Sequence, residues 1–286
     1  MSLPTWNTLV DASTLAASLE RADLRIVDAR FALNAPDWGR EEYFRSHVPG
    51  SVYADLNKDL SDLGRSGEGR HPLPQWDLFA VKLGLWGIRP DTQVVVYDAG
   101  DGSMAAARLW WLLRVLGHRA VAVLDGGLAA WRAVGLPETG EMAAIEDAGP
   151  YPGAPDPGAI AEAGEVLARL PQPAGWLWDA RAPERFRGEV EPIDPVAGHV
   201  PGAVNRPFAA NLEDGRFKPA ARLRAELETV LDGRLPRETV LMCGSGVTAC
   251  HLLLAMEVAG LQGARVYAGS WSGWISDPAR PITAGA

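Results

Sequence analysis

Cysteine is scarce in this sequence of 286 residues, which contains only Cys243 and Cys250. Two thiols so close in the chain do not form a disulfide framework, and no group of Cys and His residues has the spacing of a metal site. The sequence therefore indicates no metal centre, and nothing in it implies an organic cofactor.

Long apolar runs and an excess of positive charge are also lacking. No run approaches the ~18 residues of a membrane-spanning helix. The N-terminus, MSLPTWNTLVDASTL, lacks the basic start and apolar core of a signal peptide. The net charge is −9, which argues against nucleic-acid binding driven by overall charge. We therefore expect no membrane or nucleic-acid partner, and a protein of the reducing cytoplasm.

The N-terminal half of the sequence recurs in the C-terminal half. Three motifs return in the same order: IVDAR at 26–30 as LWDAR at 177–181, HVPGSV at 47–52 as HVPGAV at 199–204, and LDGGLAAW at 124–131 as YAGSWSGW at 267–274. Solenoid repeats have periods of roughly 20–50 residues. The much longer period here indicates one domain that has been duplicated.

Each half alternates short apolar segments with segments typical of helices. QVVVYDA, for example, is typical of a buried strand, and MAAARLWWLLRVLG of a helix that ends near Gly117. This alternation predicts an α/β fold with two similar domains, each a mostly parallel sheet flanked by helices. A segment rich in Gly, Pro and acidic residues predicts a linker at 141–158, between domains at 1–140 and 159–286.

Superposing the two halves places Asp98 where the other half has Cys243. VVVYDAGDG (94–102) then aligns with VLMCGSG (240–246), so that each of the two residues follows a predicted strand. Ligands of open α/β sheets bind beyond the carboxyl ends of the strands. Because only the C-terminal half has a thiol at this position, we expect the catalytic site there.

The segment after Cys243 is suited to holding an anion. Gly244 and Gly246 permit positive φ, so that the turn can direct backbone N–H groups, including that of Val247, towards its centre. A helix predicted to start near Thr248 adds its unpaired N–H groups and its dipole. Together these groups favour a thiolate, and hence a nucleophile.

Two hydroxyl groups, those of Ser245 and Thr248, can also donate to this charge. The alternative interpretation of Cys243 is a buried cysteine at a strand end, but the glycines and the helix start favour the nucleophile. For Cys250, which falls among leucines of the predicted helix, packing is the expected role.

An anion-binding loop around a thiolate suits two reactions. Phosphoester cleavage, or the related arsenate reduction, needs an arginine six residues after the cysteine, and Ala249 occupies that position. Sulfur transfer needs only that the thiolate accept a sulfur atom as a persulfide and pass it on. The sequence thus favours a sulfurtransferase, with a non-enzymatic sulfur carrier as an alternative that uses the same loop.

These motifs resemble those of the rhodanese superfamily in its tandem two-domain form. The resemblance covers nearly the whole chain and rests on DAR and HVPG in both halves, on GHRAVAVLDGGLAAW and on CGSGVTA. The loop Cys243–Thr248 is similar to that of 3-mercaptopyruvate sulfurtransferases, whereas thiosulfate-using members usually have a basic residue where this sequence has Gly244 and Ser245. The resemblance implies a small anionic sulfur donor, with 3-mercaptopyruvate favoured over thiosulfate, and a thiol or cyanide-like acceptor. A thioredoxin-type reductant is a further implied partner.

The resemblance also implies how the donor is bound. Arg185 matches the donor-binding arginine of the family. A second arginine, common in the mercaptopyruvate enzymes, is replaced by Ile193, and Arg187 is a candidate substitute. The departure at Ile193 leaves thiosulfate open as the preferred donor.

A serine–histidine–aspartate relay proposed for the mercaptopyruvate enzymes has partial counterparts here. Ser245 matches the serine and His71 the histidine, with an exposed loop histidine as the equal alternative for His71. Asn57 stands at the aspartate position, close to Asp55. Because an amide cannot stabilise an imidazolium as a carboxylate does, the relay is expected to be incomplete.

The remaining conspicuous side chains are expected to be structural. His47 and His199 lie in the repeated HVPG motifs, one in each half, although only one half has the thiol. Trp274 has Trp131 as its counterpart and is expected in the core, whereas Trp271 has no aromatic counterpart and is a candidate wall of the pocket.

Overall fold

Two compact units divide the chain, and neither is continuous in sequence. In the computed structural model, which describes residues 4–285, the first unit comprises the chain up to Asp62 together with Leu73–Asp156. The second unit comprises Leu63–Pro72 and the chain from Pro157 onward. The segment predicted as a linker thus lies almost wholly in the first unit, and a short segment of the N-terminal half belongs to the second.

The first unit contains a sheet of five parallel strands. The strands are β1 (Leu9–Val10), β2 (Leu24–Asp28), β3 (Ser51–Tyr53), β4 (Gln93–Tyr97) and β5 (Val121–Leu124), in the spatial order β1-β5-β4-β2-β3. The helices are α1 (Ala12–Ala16), α2 (Trp38–Arg45), α3 (Trp76–Leu85), α4 (Ala105–Val115) and α5 (Gly127–Ala133). Every residue of the central strand β4 is buried, as expected where helices cover both faces of a parallel sheet.

The second unit repeats this architecture. Its sheet strands are β6 (Ile160–Ala161), β7 (Leu177–Asp179), β8 (Val204–Asn205), β11 (Val240–Met242) and β12 (Arg265–Tyr267), all parallel and in the order β6-β12-β11-β7-β8. A two-stranded antiparallel hairpin of β9 (Leu212–Glu213) and β10 (Arg216–Phe217) is inserted before the last two sheet strands. The predicted pair of similar α/β domains with mostly parallel sheets is confirmed.

The helices of the second unit flank its sheet in the same succession. They are α6 (Ala163–Arg169), α7 (Pro183–Phe186), α8 (Ala220–Leu231), α9 (Thr248–Val258) and α10 (Ser270–Trp274). Short 3₁₀ turns occur at Pro157–Ala159, Phe208–Asn211 and Pro236–Glu238. Among the helices of residues 4–285, none combines the length and the apolar character that a membrane-spanning segment requires.

Tryptophans of the repeated motif anchor the core of each unit. Trp131 and Trp274 are fully buried, and their indole N–H groups donate to the backbone oxygens of Pro137 and Pro281, each at 2.9 Å. Truncating a buried tryptophan to alanine costs ~3–5 kcal/mol. The core role expected of Trp274 is confirmed.

Trp271 is also fully buried, so the prediction that it walls a pocket is wrong. Its indole N–H donates to the backbone oxygen of Val196 at 2.8 Å, and the Arg181 guanidinium lies 4.7 Å from its ring centroid. Trp271 and Trp274 are three residues apart on α10 and therefore share the helix face that packs into the core.

The repeated DAR motif forms a buried ion pair in each unit. Arg30 Nη2 lies 2.6 Å from Asp28 Oδ2, and Arg181 Nη2 lies 2.7 Å from Asp179 Oδ2. Each guanidinium also donates to the backbone oxygen of the residue before the HVPG histidine. The DAR and HVPG motifs of each unit are thus joined to each other at the carboxyl ends of β2 and β7.

The HVPG histidines are structural, as expected. His47 Nδ1 lies 2.6 Å from the backbone oxygen of Tyr43, and His199 Nδ1 lies 2.8 Å from that of Phe186. Each imidazole stacks on the ring of the same partner, with centroids 4.1 and 3.8 Å apart. The equivalent arrangement in both units explains why the motif recurs with and without the thiol.

Backbone hydrogen bonds hold most of the segment predicted as a linker, residues 141–158, within the first unit. The N–H groups of Ala148 and Tyr151 donate to the backbone oxygens of Gly84 and Ala80 on α3, at 3.0 and 2.9 Å. The composition of this segment, typical of a linker, therefore gives a stretch without helix or strand over residues 141–156, part of which runs along α3.

Candidate active site

Cys243 is the first residue after the central strand β11. It is 2% exposed, and its carbonyl oxygen accepts a hydrogen bond from Trp271 N at 2.9 Å. In the first unit Asp98 follows the central strand β4, and its carbonyl oxygen accepts from Leu128 N, also at 2.9 Å. The two positions correspond, as the alignment of the repeats predicted, and both lie at the carboxyl ends of strands, where ligands of such sheets bind.

Gly246 gives the loop a conformation that needs glycine. Its φ is +75°, and a Cβ at this position would lie 2.3 Å from the backbone oxygen of Ala268. Its N–H donates to Cys243 Sγ at 3.1 Å. Both glycines of the loop permit positive φ, and within the described loop 243–248 it occurs at Gly246 and not at Gly244.

Helix α9 begins at the predicted residue, directly after the loop. Val247 is the N-cap, and the half-buried Thr248 is the first helical residue. The first turn of a helix carries unpaired N–H groups and a partial positive charge. Cys250, fully buried in this turn, donates from Sγ to the backbone oxygen of Gly246 at 3.1 Å. Besides packing in the core, Cys250 therefore supports the loop.

His71 reaches the loop from the segment 63–72. Its Nδ1 lies 2.9 Å from Ser245 Oγ, and both side chains are buried, with His71 4% exposed. The alternative of an exposed loop histidine is therefore wrong. A hydrogen bond between a hydroxyl and an imidazole provides a route for one proton beside the thiol.

Asp55, next to the expected aspartate position, is engaged in its own turn. Its Oδ1 accepts from the N–H groups of Asn57 and Lys58 at 2.9 and 3.2 Å, and its Oδ2 lies 3.3 Å from Lys58 Nζ. In the first unit this carboxylate caps a turn, and Asn57 contributes its backbone N–H to that turn.

Two guanidinium groups lie against the first glycine of the loop. A Cβ placed on Gly244 would be 3.2 Å from Arg70 Nη2 and 3.5 Å from both Nη atoms of Arg185. Arg185 is the predicted donor-binding residue. Arg70 was not among the predicted site residues, although it directly precedes His71 in GRHPLP. A loop arginine far away in sequence gives no signal of where its side chain lies.

Ion pairs hold both arginines in place. Arg185 Nη2 lies 2.7 Å from Glu191 Oε1 and 3.1 Å from Asp194 Oδ2, and Arg70 Nη1 lies 2.6 Å from Asp194 Oδ1. Glu191 also lies 3.4 Å from Nη1 of the buried Arg181. Although burial opposes it, hydrogen bonds from Arg185 and from two backbone amides hold the pKa of Glu191 below its ordinary value. Glu191 therefore stays charged and fixes Arg185.

Ser272 of α10 joins the loop to the segment 63–72. Its N–H donates to the backbone oxygen of Gly244 at 2.9 Å, and its Oγ accepts from Arg70 N at 2.9 Å. One residue thus holds both the loop and the backbone that carries Arg70 and His71.

The other candidates for donor binding have different environments. Arg187 forms a bidentate pair with Glu189, at 2.7 and 2.8 Å. Ile193 is 43% exposed, and its N–H donates to Glu191 Oε1 at 3.1 Å. The second guanidinium at the loop is therefore that of Arg70.

In the first unit the side chain of Asp98 fills its own loop. Its Oδ1 accepts from the N–H groups of Gly100 and Gly102 at 3.2 and 3.0 Å, and its Oδ2 accepts from Met104 N at 3.2 Å. Burial, with a smaller contribution from Asp101, raises the pKa of Asp98 to about 6 in spite of these donors. The loop that lacks a thiol is thus occupied by a carboxyl group of the chain itself.

The groups gathered at Cys243 suit covalent chemistry at sulfur with an anionic substrate. They are a thiol with an amide donor, a serine–histidine pair and two guanidinium groups, which are the groups that activate sulfur and bind carboxylates. Among residues 4–285, no three His, Cys, Asp or Glu side chains are grouped so that they could hold a metal ion.

Comparison with known proteins agrees with this chemistry. Residues 11–134 and 162–277 each match the family model of the rhodanese-like domain. A probable 3-mercaptopyruvate sulfurtransferase of Pseudomonas aeruginosa is 51% identical over 280 residues, which cover 97% of this chain and 98% of that protein. The thiosulfate sulfurtransferase of Bos taurus is 36% identical over 279 residues, which cover 94% of this chain and 92% of that protein.

A solved structure shows the same architecture. SseA of Escherichia coli, a 3-mercaptopyruvate sulfotransferase, superposes with a TM-score of 0.78 at 32% identity, covering 93% of this chain and 100% of that one. With both domains matched and relatives aligned over almost its whole length, the chain belongs to the rhodanese family as a tandem of two rhodanese-like domains.

Proposed function

We propose that this protein is a sulfurtransferase in which Cys243 carries the transferred sulfur as a persulfide. One observation carries the proposal: the buried Cys243 Sγ accepts a hydrogen bond from Gly246 N at 3.1 Å, at the start of a helix. An amide donor and a helix N-terminus both stabilise negative charge on sulfur, in the thiolate and in the persulfide. The names of the relatives support the same activity.

The first half-reaction moves sulfur from the donor to the enzyme. With 3-mercaptopyruvate, the Cys243 thiolate attacks the donor sulfur, an S–S bond forms and the donor C–S bond breaks. The electron pair of that bond leaves on carbon as the enolate of pyruvate, which takes up a proton to give pyruvate. The hydrogen-bonded pair of Ser245 and His71 is the nearby group that can deliver this proton.

The second half-reaction returns Cys243 to the thiolate. An acceptor thiolate or cyanide attacks the outer sulfur of the persulfide, the S–S bond breaks and Cys243 leaves as the thiolate. The products are a new persulfide or thiocyanate. A small thiol or a thioredoxin-type dithiol is the acceptor class that this chemistry allows, and no metal or organic cofactor takes part in either step.

Arg70 and Arg185 are proposed to bind the carboxylate of the donor beside Gly244. Their guanidinium groups already pair with Asp194 and Glu191, so the charge left for a ligand is small. This balance, together with the neutral loop residues, favours a monoanion such as 3-mercaptopyruvate over the dianion thiosulfate. Thiosulfate is the alternative donor, and relatives of both names align over nearly the whole chain.

Initial rates with either donor and cyanide test the proposal. We expect turnover in the wild type, none with Cys243→Ser, and a higher kcat/KM for 3-mercaptopyruvate than for thiosulfate. Cys250→Ser is the matched control because it removes the other thiol but keeps a donor for Gly246 O. Turnover that survives Cys243→Ser would refute the mechanism.

Mass spectrometry after addition of donor alone separates the enzyme from a sulfur carrier. We expect a gain of one sulfur atom on Cys243 that disappears on the timescale of turnover when cyanide or a thiol is added. A persulfide that persists in the presence of these acceptors would instead identify a carrier.

A further inference from the structure

Ser270 has a backbone conformation that serine rarely adopts. Its φ is +52°, and its side chain is fully buried. Positive φ is uncommon outside glycine, asparagine and aspartate because Cβ then crowds the neighbouring carbonyl group. A residue held in this way persists where the surrounding structure requires it, and such residues cluster at functional sites.

The first unit has glycine at the same position. Leu128 and Trp271 each donate to the carbonyl oxygen at the end of the central strand, so the residues before them, Gly127 and Ser270, correspond. The φ of Gly127 is +54°, close to that of Ser270. The unit without a thiol thus meets this backbone requirement without strain, and the unit with Cys243 meets it with a serine.

The two loops also differ in the room that they leave. A Cβ on Gly127 would lie 2.3 Å from the backbone oxygen of Gly100 and 2.7 Å from that of Asp98. In the second unit the loop after Cys243 accommodates the whole Ser270 side chain. The two units therefore differ both in the loop after the central strand and in the residue that packs against it, Gly127 in the first unit and Ser270 in the second.

The Ser270 hydroxyl uses both of its hydrogen-bonding capacities. It donates to the backbone oxygen of Tyr267 at 2.9 Å and accepts from Cys243 N at 3.0 Å. Because its proton is directed to Tyr267, its lone pairs face the Cys243 N–H. With the bond from Trp271 N to Cys243 O, the start of α10 holds both backbone polar groups of the cysteine.

We infer that Ser270 is a positioning residue for the nucleophile. By fixing the backbone of Cys243, its hydroxyl keeps Sγ within hydrogen-bond reach of Gly246 N in the thiolate and in the persulfide. The inference rests on the proposed role of Cys243. Its distinctive consequence is that activity and stability respond differently to two substitutions at the same position.

Ser270→Ala and Ser270→Gly form the test pair. Both remove the hydroxyl, but alanine keeps the strained Cβ and glycine removes it. We expect kcat/KM to fall by roughly three- to tenfold in both variants, the loss of one hydrogen bond. The midpoint of thermal unfolding should be several degrees higher for Ser270→Gly than for Ser270→Ala, because glycine adopts positive φ without strain. If alanine does not fold, the glycine variant alone carries the kinetic test.

A second readout reports on Cys243 directly. The rate of its alkylation by iodoacetamide, measured at one fixed pH, should fall severalfold in both variants, because a less well positioned Sγ loses the hydrogen bond from Gly246 N that supports its reactive form. Asp232 provides the matched control: it has a φ of +49°, is exposed and caps helix α8. Asp232→Gly and Asp232→Ala should differ in stability in the same direction, with unchanged kinetics and alkylation.

Activity that follows stability, with Ser270→Gly close to wild type, would overturn the inference, and so would an unchanged rate of alkylation. These outcomes are distinct from a failure of the proposed function. That failure would appear as turnover in Cys243→Ser, whatever the Ser270 variants do.

Discussion

At the scale of single residues, Arg70 and Arg185 allow donor binding to be separated from chemistry at Cys243. A hydrogen bond to a charged group is worth ~1.5–3 kcal/mol, so we expect Arg70→Ala and Arg185→Ala each to raise KM for 3-mercaptopyruvate roughly 10- to 100-fold. The effect on kcat should be smaller, because neither residue contacts the cysteine sulfur. Steady-state kinetics at a fixed cyanide concentration measure both quantities.

Arg187→Ala is the control for the arginine variants. It removes the same charge from a side chain that is paired with Glu189. We expect its KM to stay within twofold of wild type. An Arg70→Ala enzyme that behaves like Arg187→Ala would show that Arg70 does not bind the donor and would leave Arg185 as the donor-binding arginine.

Asp98 gives the first unit a pH-dependent stability. The Asp98 carboxyl has the ordinary pKa of 3.8 in the unfolded chain and a pKa of about 6 in the folded protein. Between pH 3.8 and about 6, the folded protein therefore holds a proton that the unfolded chain releases. Stability therefore falls as pH rises through this window and is constant above it. A shift of two pKa units corresponds to about 3 kcal/mol.

Replacing Asp98 with asparagine removes this titration. From pH 4 to pH 6.5 we expect wild type to lose about 2 kcal/mol of stability in the first unit relative to Asp98→Asn, because the rest of the titration lies outside this range. Hydrogen exchange of the β4 amides at several pH values measures it within that unit. Asp147→Asn, at an exposed carboxyl, is the control and should follow wild type. Parallel profiles for wild type and Asp98→Asn would contradict the raised pKa.

Residue identities at the site could be predicted only where a local pattern carries them. The Cys243 loop and Arg185 lie in motifs whose chemistry or family resemblance is visible in the sequence. The contribution of Arg70 is not visible, because it depends on a side chain 174 positions from Gly244 in sequence, held there by Asp194 and Ser272. The burial of Trp271 was missed for the same reason: tertiary packing decides it.

At the scale of elements, the two glycines of the loop have different roles. A side chain on Gly246 would combine positive φ with a 2.3 Å approach to Ala268 O. One on Gly244 would meet the ends of the Arg70 and Arg185 side chains at 3.2–3.5 Å, a less severe approach and one to side-chain rather than backbone atoms. The first glycine therefore makes room for the two guanidinium groups, and the second shapes the backbone around sulfur.

Alanine substitutions distinguish these two roles. Gly246→Ala should lower the free energy of unfolding by at least ~1–2 kcal/mol, the cost of positive φ, and should abolish turnover. Gly244→Ala should change stability by less than ~0.5 kcal/mol but raise KM, because the guanidinium groups are displaced. Urea unfolding and steady-state kinetics on both variants provide the measurements. Equal losses of stability would contradict the assignment.

Elements that follow hydrophobic periodicity were predictable, and the connection between Asp62 and Leu73 was not. The apolar runs of β4 and β11 and the start of α9 at Thr248 follow from sequence alone. The segment 63–72 has no helix or strand, and its place in the second unit depends on individual bonds such as Arg70 N to Ser272 Oγ. Periodicity carries no information about such bonds.

At the scale of the whole molecule, duplication is the feature that the sequence predicted best. The repeated sequence motifs make equivalent contacts in the two units, and the two sheets have the same strand order. The sequence also showed that the two domains differ at one equivalent position, where the first has Asp98 and the second has Cys243. The structural consequence of this difference could not be predicted. The loop of the first unit is filled by the Asp98 carboxyl group, whereas the Cys243 backbone N–H in the second unit is bonded to a serine with positive φ.

The overall charge leads to a prediction about how anions approach Cys243. The chain carries a net charge of −9. Around the loop, the guanidinium groups of Arg70, Arg181 and Arg185 are matched by three carboxylates, those of Asp179, Glu191 and Asp194. The arginines therefore provide short-range hydrogen bonds without a long-range attractive field. An anion should be repelled at low ionic strength, where the Debye length is ~30 Å, and less so at 0.15 M, where it is ~8 Å.

Two alkylating reagents of similar size measure this field directly. Iodoacetate is an anion and iodoacetamide is neutral, and both react with Cys243 in a Cys250→Ser protein that has one thiol. We expect the iodoacetate-to-iodoacetamide rate ratio to rise severalfold as salt is increased at constant pH, because screening removes the repulsion. The kcat/KM for an anionic donor should rise in parallel, with kcat unchanged. A ratio that falls steeply with salt would instead show that the arginines attract anions over a long range, and would favour the dianion thiosulfate as donor.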